Sequence, residues 1–201
     1  MCDGLENPVQ SAGSSEKRQR AFAALIVIIV LTWVAWWGGV HLDGALDLHI
    51  NPIRPSAGIV ILESLVDWIS LAVLLFAASK VFGGNGGLAG HLSATGLAKF
   101  PMILAAIVSS RQLLGAAMLK AITVKPEEII LHPQAINAPA LIIGGLLIVG
   151  LVAWSVVMLV YGFKEVSRLL GAKTTAAFVI GLILAEIVSK LILLGVFKIG
   201  I

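Results

Sequence analysis

Residues 174–199, TTAAFVIGLILAEIVSKLILLGVFKI, form a long apolar run with only Glu186 and Lys190 in its middle and Lys198 near its end. About 20 apolar residues suffice to cross the roughly 30 Å hydrocarbon core of a bilayer. A helix is the open-ended element that satisfies its own backbone polar groups there. The run is therefore read as a spanning helix, and four more follow the same pattern: Ala21–Val40, Ala57–Phe82, Phe100–Ile122 and Pro139–Phe163. Composition agrees, with 59% hydrophobic and 12% charged residues and a mean hydropathy of +1.02, far from the balance of a soluble catalytic domain. The sequence predicts an all-α integral membrane bundle of five transmembrane helices over residues 20–201, behind a disordered tail over 1–19.

Lys and Arg counts predict the orientation. One side of a five-span chain would hold Lys17, Arg18, Arg20, Lys80, Lys99, Lys164, Arg168 and Lys173, and the other Arg54, Lys120, Lys125 and Lys198. The richer side is expected to be cytoplasmic, with the N-terminus inside and the C-terminus outside. The first span is too long for a cleaved signal and is read as a retained anchor. The single Cys2 allows no disulfide within the chain. The net charge of +3 is assigned to lipid-facing basic residues, so the expected partner is the bilayer, with other membrane proteins or a second copy besides, and no nucleic acid.

Five charged residues fall within the predicted spans: Glu63, Asp67, Arg111, Glu186 and Lys190. Counting about 1.5 Å per residue from the outer helix ends puts them roughly 9, 15, 16, 18 and 12 Å deep. Because a lone charge at the bilayer centre costs about 2.5–3.5 kcal/mol or more, matched depths suggest a mutually neutralising buried cluster. Glu63/Asp67 and Glu186/Lys190 are each four residues apart, so each couple shares a helix face. The acids outnumber the bases, which also fits a site for a proton or a cation.

The last span further carries Ala177, Gly181, Ala185 and Ser189, a small residue at every fourth position, the mark of a close helix contact in lipid. Gly144, Gly145 and Gly150 on the fourth span offer a partner surface. His41, Asp43, Asp47 and His49 match no zinc spacing and are taken as a solvated loop. GGNGG, residues 83–87, is a helix terminator rather than a dinucleotide fingerprint, since no strand precedes it. Leu88–Lys99 is read as a short interfacial helix, and a short helical turn is expected from Pro126, with Glu127 and Glu128 in its first turn. No catalytic motif is found, and no metal or cofactor is expected.

Two segments, LLFAASKVFGGNGGLAGHLSATGLAKFPMILAAI and LVAWSVVMLVYGFKEVSRLLGAKTTAAFVIGLIL, resemble Yip-type (Ypt/Rab-interacting protein) membrane domains. In that family a helix ends in a Gly-Gly turn, a proline opens the next helix, and a Trp-containing helix runs through a basic turn to a small-residue-rich last one. The resemblance covers roughly residues 57–199. It implies a five-helix bundle with a cytoplasmic N-terminus. Eukaryotic members act in vesicle trafficking and contact small GTPases; their Asp-Leu-x-Gly-Pro element is absent from this chain, so no GTPase-binding residue is carried over. The bacterial type is preferred, in a bacterial cytoplasmic membrane. The expected function is a non-enzymatic multi-pass protein that organises or recruits partners, with a small proton- or cation-coupled transporter or channel as the alternative.

Overall fold

A computed structural model describes residues 8–44, 46–50, 55–119, 122–125, 128–131 and 137–199. Five helical stretches are long and apolar enough to cross a membrane: Ser15–Gly38, Ala57–Val81, Leu88–Met118, Ala138–Ser167 and Ala172–Gly195. The chain is an all-α integral membrane bundle. Exposed surface in the following includes surface that faces lipid.

Helix α1 spans Pro8–Gly38, so the segment expected to be disordered is helical from Pro8 onward; Met1–Asn7, Cys2 among them, lie outside the described residues. Proline suits a first helical position, and Arg20 secures the extension by pairing with Glu16 one turn earlier (2.8 Å) and with Glu165 across the bundle. A two-residue strand pairing, β1 (Val40–His41) with β2 (His49–Ile50), closes the following loop.

Helix α2, Ala57–Val81, starts on a Ser56 cap, whose hydroxyl accepts from the Ile59 N–H. It ends in the GGNGG turn as expected. Gly83 has φ +87°, its N–H donates to Lys80 O (3.0 Å), and the Gly84 N–H donates to Ser79 O (2.8 Å). This is the Schellman closure of a helix end, which needs a left-handed residue. Gly86 serves closeness instead, since a Cβ there would lie 2.3 Å from Val166 O.

The third span departs most from expectation. It consists of α3 (Leu88–Ala98), α4 (Phe100–Ser109) and α5 (Leu114–Leu119). Leu88–Lys99 is not an interfacial helix: α3 packs on α1, α2 and on α6 (Ala138–Ser167), and His91, Thr95, Gly96 and Ala98 are buried. Small residues permit this, because a Cβ on Gly96 would lie 2.7 Å from the Ala24 Cβ, and one on Gly162 would lie 3.0 Å from the Ala94 Cβ. Between α3 and α4 the helix breaks at Lys99. Pro101 has no N–H to donate, and its ring opposes the carbonyl four residues back. The Met102 N–H therefore turns to Lys99 O (3.0 Å), and the Ala98 carbonyl accepts the Ser155 hydroxyl from α6 (2.6 Å).

Strands β3 (Ile122–Lys125) and β4 (Glu128–Leu131) pair antiparallel, with Lys125 opposite Glu128, so Glu128 lies in a strand and not in the helical turn expected from Pro126. The β-branched Ile122, Thr123, Val124, Ile129 and Ile130 favour strands; Pro126, Glu127 and His132–Ile136 lie outside the described residues. Helix α6 begins at the Asn137 cap, and α7 spans Ala172–Ile199. Ala177, Gly181, Ala185 and Ser189 are all buried, as the spacing predicts. Their partner is α2 rather than the fourth span: a Cβ on Gly181 would lie 2.9 Å from Leu75 Cδ2, whereas Gly145 and Gly150 face open space and Gly144 lies against Leu114.

Two apolar cores result. One joins Leu71, Leu75, Ala98, Leu159, Phe163, Ala177 and Phe178; the other joins Leu31, Val34, Val40, Leu42, Val60, Met102 and Ala106. On α2 the residues between them are Glu63, Ser64, Asp67 and Ser70, all buried, and on the third span the residue between Ala98 and Met102 that carries a charge is Lys99.

A candidate polar site between two apolar cores

Glu63 and Asp67 are each 0% exposed and Lys99 is 3% exposed. With His91 at 1% that makes four enclosed ionisable groups, more than a bilayer protein keeps without partners or a function. The helical repeat puts Glu63 and Asp67 on one face of α2, and Lys99 sits at the turn that ends α3, the helix packed against α2. Neither carboxylate oxygen of Asp67 accepts a hydrogen bond among the described residues. Ser64 on α2 is likewise buried with a hydroxyl lacking a hydrogen-bond partner among the described residues, so this layer is polar but sparsely bonded.

Glu63 is engaged from above. Its Oε1 lies 2.7 Å from His41 Nδ1 and its Oε2 accepts the Leu42 N–H at 3.0 Å. The loop folds down onto the helix ends at His41, while Asp43, Asp47 and His49 keep 38–47% of their side chains exposed, as a solvated loop would. His41 stacks on His49, with ring centroids 5.2 Å apart and planes 8° from parallel, and His49 Nδ1 sits 3.1 Å from Asp43 Oδ1. That contact holds the Asp43 carboxyl below its ordinary range, and the same carboxylate raises the His49 imidazole above its own.

Of the five charges expected in one buried layer, only Glu63 and Asp67 are enclosed. Glu186 and Lys190 pair as their spacing predicts (3.0 Å), but Lys190 also reaches Asp47 in the loop (3.0 Å), and its side chain is 42% exposed. The loop approaches α7 so closely that a Cβ on Gly44 would lie 2.3 Å from Glu186 Oε1. Arg111 lies beyond the Ser110 break, at the end of α1: its N–H donates to Gly38 O at 2.8 Å, and its side chain lies over Gly39, where φ is +67° and a Cβ would meet Arg111 Cδ at 2.3 Å. Counting depth from Ile122 along an unbroken helix misplaced it.

Sequence reasoning missed Lys99, His41 and Asp47 as members of the site. Pro101 signals a turn near Lys99, but no local pattern marks Lys99 or the loop as buried. Among the described residues no group of three or more His, Cys, Asp and Glu is arranged to hold a metal.

Compared with family models, with curated proteins and with solved structures, the chain matches none. The class defined by fold and site is a multi-pass membrane bundle with an enclosed acid–base layer at a broken helix.

Proposed function

We propose that this chain is a small proton- or cation-coupled membrane protein, a transporter or channel, in which Asp67 is the group that takes up and releases the ion and Lys99 is its counter-charge. The observation that carries this reading is a fully buried carboxylate that accepts no hydrogen bond among the described residues, on a helix packed against the one that ends at a buried lysine. The turn at Lys99 is one residue long and keeps right-handed helical dihedrals (φ −76°, ψ −5°), and an ionisable group within a spanning helix marks a candidate ion path. His41, Glu63 and the His49–Asp43 pair extend this polar path toward the loop, a sequence of groups able to pass a proton.

The second reading is the non-enzymatic partner-organising protein of the bacterial Yip type. It is favoured by the quoted resemblance and by the pairing of Lys190 with both Glu186 and Asp47, which ties the loop to α7 as a structural clamp would. In either case the end bearing Lys17, Arg20 and Arg168 is assigned to the cytoplasm. With Lys99 buried and both Arg111 and the Asp47-paired Lys190 at the opposite end, the eight-to-four asymmetry of the sequence narrows to seven against six, still in the same direction.

The full-length protein reconstituted in liposomes, with an imposed pH or cation gradient, tests the choice. Flux that falls at least tenfold in Asp67→Asn supports the transport reading. Absence of flux in both proteins, or equal flux in both, removes Asp67 from that role.

A further inference from the structure

We infer that the cavity at the basic end of the bundle is a binding site for one anionic phospholipid, its phosphate held at the mouth and an acyl chain in the slot. The cavity lies where α1 and α6 both flank α3. Lys17, Arg20 and Arg168 stand at its mouth with Glu165. Glu165 is already engaged by Arg20, an ion pair that joins α1 to α6 across the opening, and Arg20 also holds Glu16. Among the described residues Lys17 and Arg168 have no carboxylate partner, and both are exposed. The mouth therefore has two positive charges left for an anion.

The walls behind the mouth are apolar: Ala21, Ala94, Leu97 and Met158 line them. The lining follows α3 from its first turn to Ala98, a length of about 16 Å at about 1.5 Å per residue. One leaflet of the hydrocarbon core is about 15 Å thick. A slot of leaflet depth that opens at a cationic mouth suits an acyl chain below a phosphate, and a volume of about 640 Å³ lies within the range of sites that enclose a ligand, about 300–1,000 Å³. A soluble anion would use the mouth and leave the apolar slot unfilled. The site is separate from the Asp67–Lys99 layer and does not depend on the transport reading.

The test uses the full-length protein in detergent, measuring lipid retained by native mass spectrometry and the melting temperature. The added probes are phosphatidylglycerol, phosphatidylcholine of the same chain length, or inorganic phosphate. Phosphatidylglycerol is expected to be retained and to raise the melting temperature, with little effect from the other two. A basic residue near an anionic surface is worth about 1 kcal/mol, or about fivefold in affinity, so Lys17→Gln/Arg168→Gln should weaken retention by roughly 25-fold. Ser93→Leu, which narrows the slot and leaves every charge, should also reduce retention. Equal retention of the two lipids, an undiminished signal in the double variant, or an equal melting shift with phosphate alone would overturn the proposal. Retention unaffected by Ser93→Leu would refute the acyl-chain part of it.

Discussion

Removing the ammonium of Lys99 should destabilise the bundle much more than removing that of Lys190. Lys99 is 3% exposed, and the Asp67 carboxylate on the neighbouring helix is 0% exposed and accepts no hydrogen bond among the described residues. Breaking a buried pair by deleting one partner leaves an uncompensated charge and costs about 3–5 kcal/mol, whereas replacing both partners with apolar groups of similar volume is often close to neutral. Lys99→Met is therefore expected to cost about 3–5 kcal/mol. Lys99→Met combined with Asp67→Leu should cost less than that single change, with a coupling on the order of 1–3 kcal/mol. At Lys190 the same cycle with Glu186 involves side chains 42% and 33% exposed, and a screened pair of this kind couples by about 1 kcal/mol or less. Both cycles can be measured as equilibrium unfolding in mixed detergent micelles. Additive effects at Lys99 and Asp67, or a larger coupling at Lys190 and Glu186, would refute the assignment of the buried pair.

Four further outcomes are expected. Ser155→Ala removes the hydroxyl that satisfies the Ala98 carbonyl at the break and should cost about 1–3 kcal/mol in the same unfolding assay, while Ser155→Thr should retain most of that stability. Because Asp43 raises the His49 imidazole and His49 lowers the Asp43 carboxyl, their mutual stabilisation is complete between the unfolded values of about 4 and about 6.5. It is lost as pH rises through the raised His49 value or falls through the lowered Asp43 value; with both side chains exposed by more than a third it amounts to under about 1 kcal/mol, and NMR titration should show the His49 midpoint dropping in Asp43→Asn. Gly83→Ala, at φ +87°, should destabilise by about 1–2 kcal/mol, whereas Gly58→Ala, where a Cβ meets nothing within 4 Å, should stabilise by up to about 1 kcal/mol; thermal melts of the two variants should move in opposite directions. Cysteines placed at 43 and 165 should label from outside intact cells and only after permeabilisation, respectively, and the reverse pattern would invert the assigned topology.

The five spans, the Schellman turn at Gly83 and the buried stripe from Ala177 to Ser189 were all legible in the chain, because each depends on local properties. Apolar length sets a spanning helix, a glycine permits a left-handed residue, and a four-residue repeat defines one face. Glu63 and Asp67 were likewise marked by charge within an apolar run and by their shared face. Their partners were not, since a buried ion is stabilised by whatever the tertiary fold brings to it. His41 meets Glu63 across 22 positions of sequence, and Lys190 meets Asp47 across 143. No local pattern encodes such distances. The same limit explains Lys99: flanked by Gly96 and Pro101, it reads as the end of a link, and only the packing of α3 against α1, α2 and α6 turns that interruption into a break inside the membrane with a lysine at its centre. Sequence alone therefore determined that the chain crosses a membrane five times and which of its acids lie on one face of α2. Tertiary structure decided which bases and which loop enclose those acids, because electrostatic partnership is a matter of distance in space.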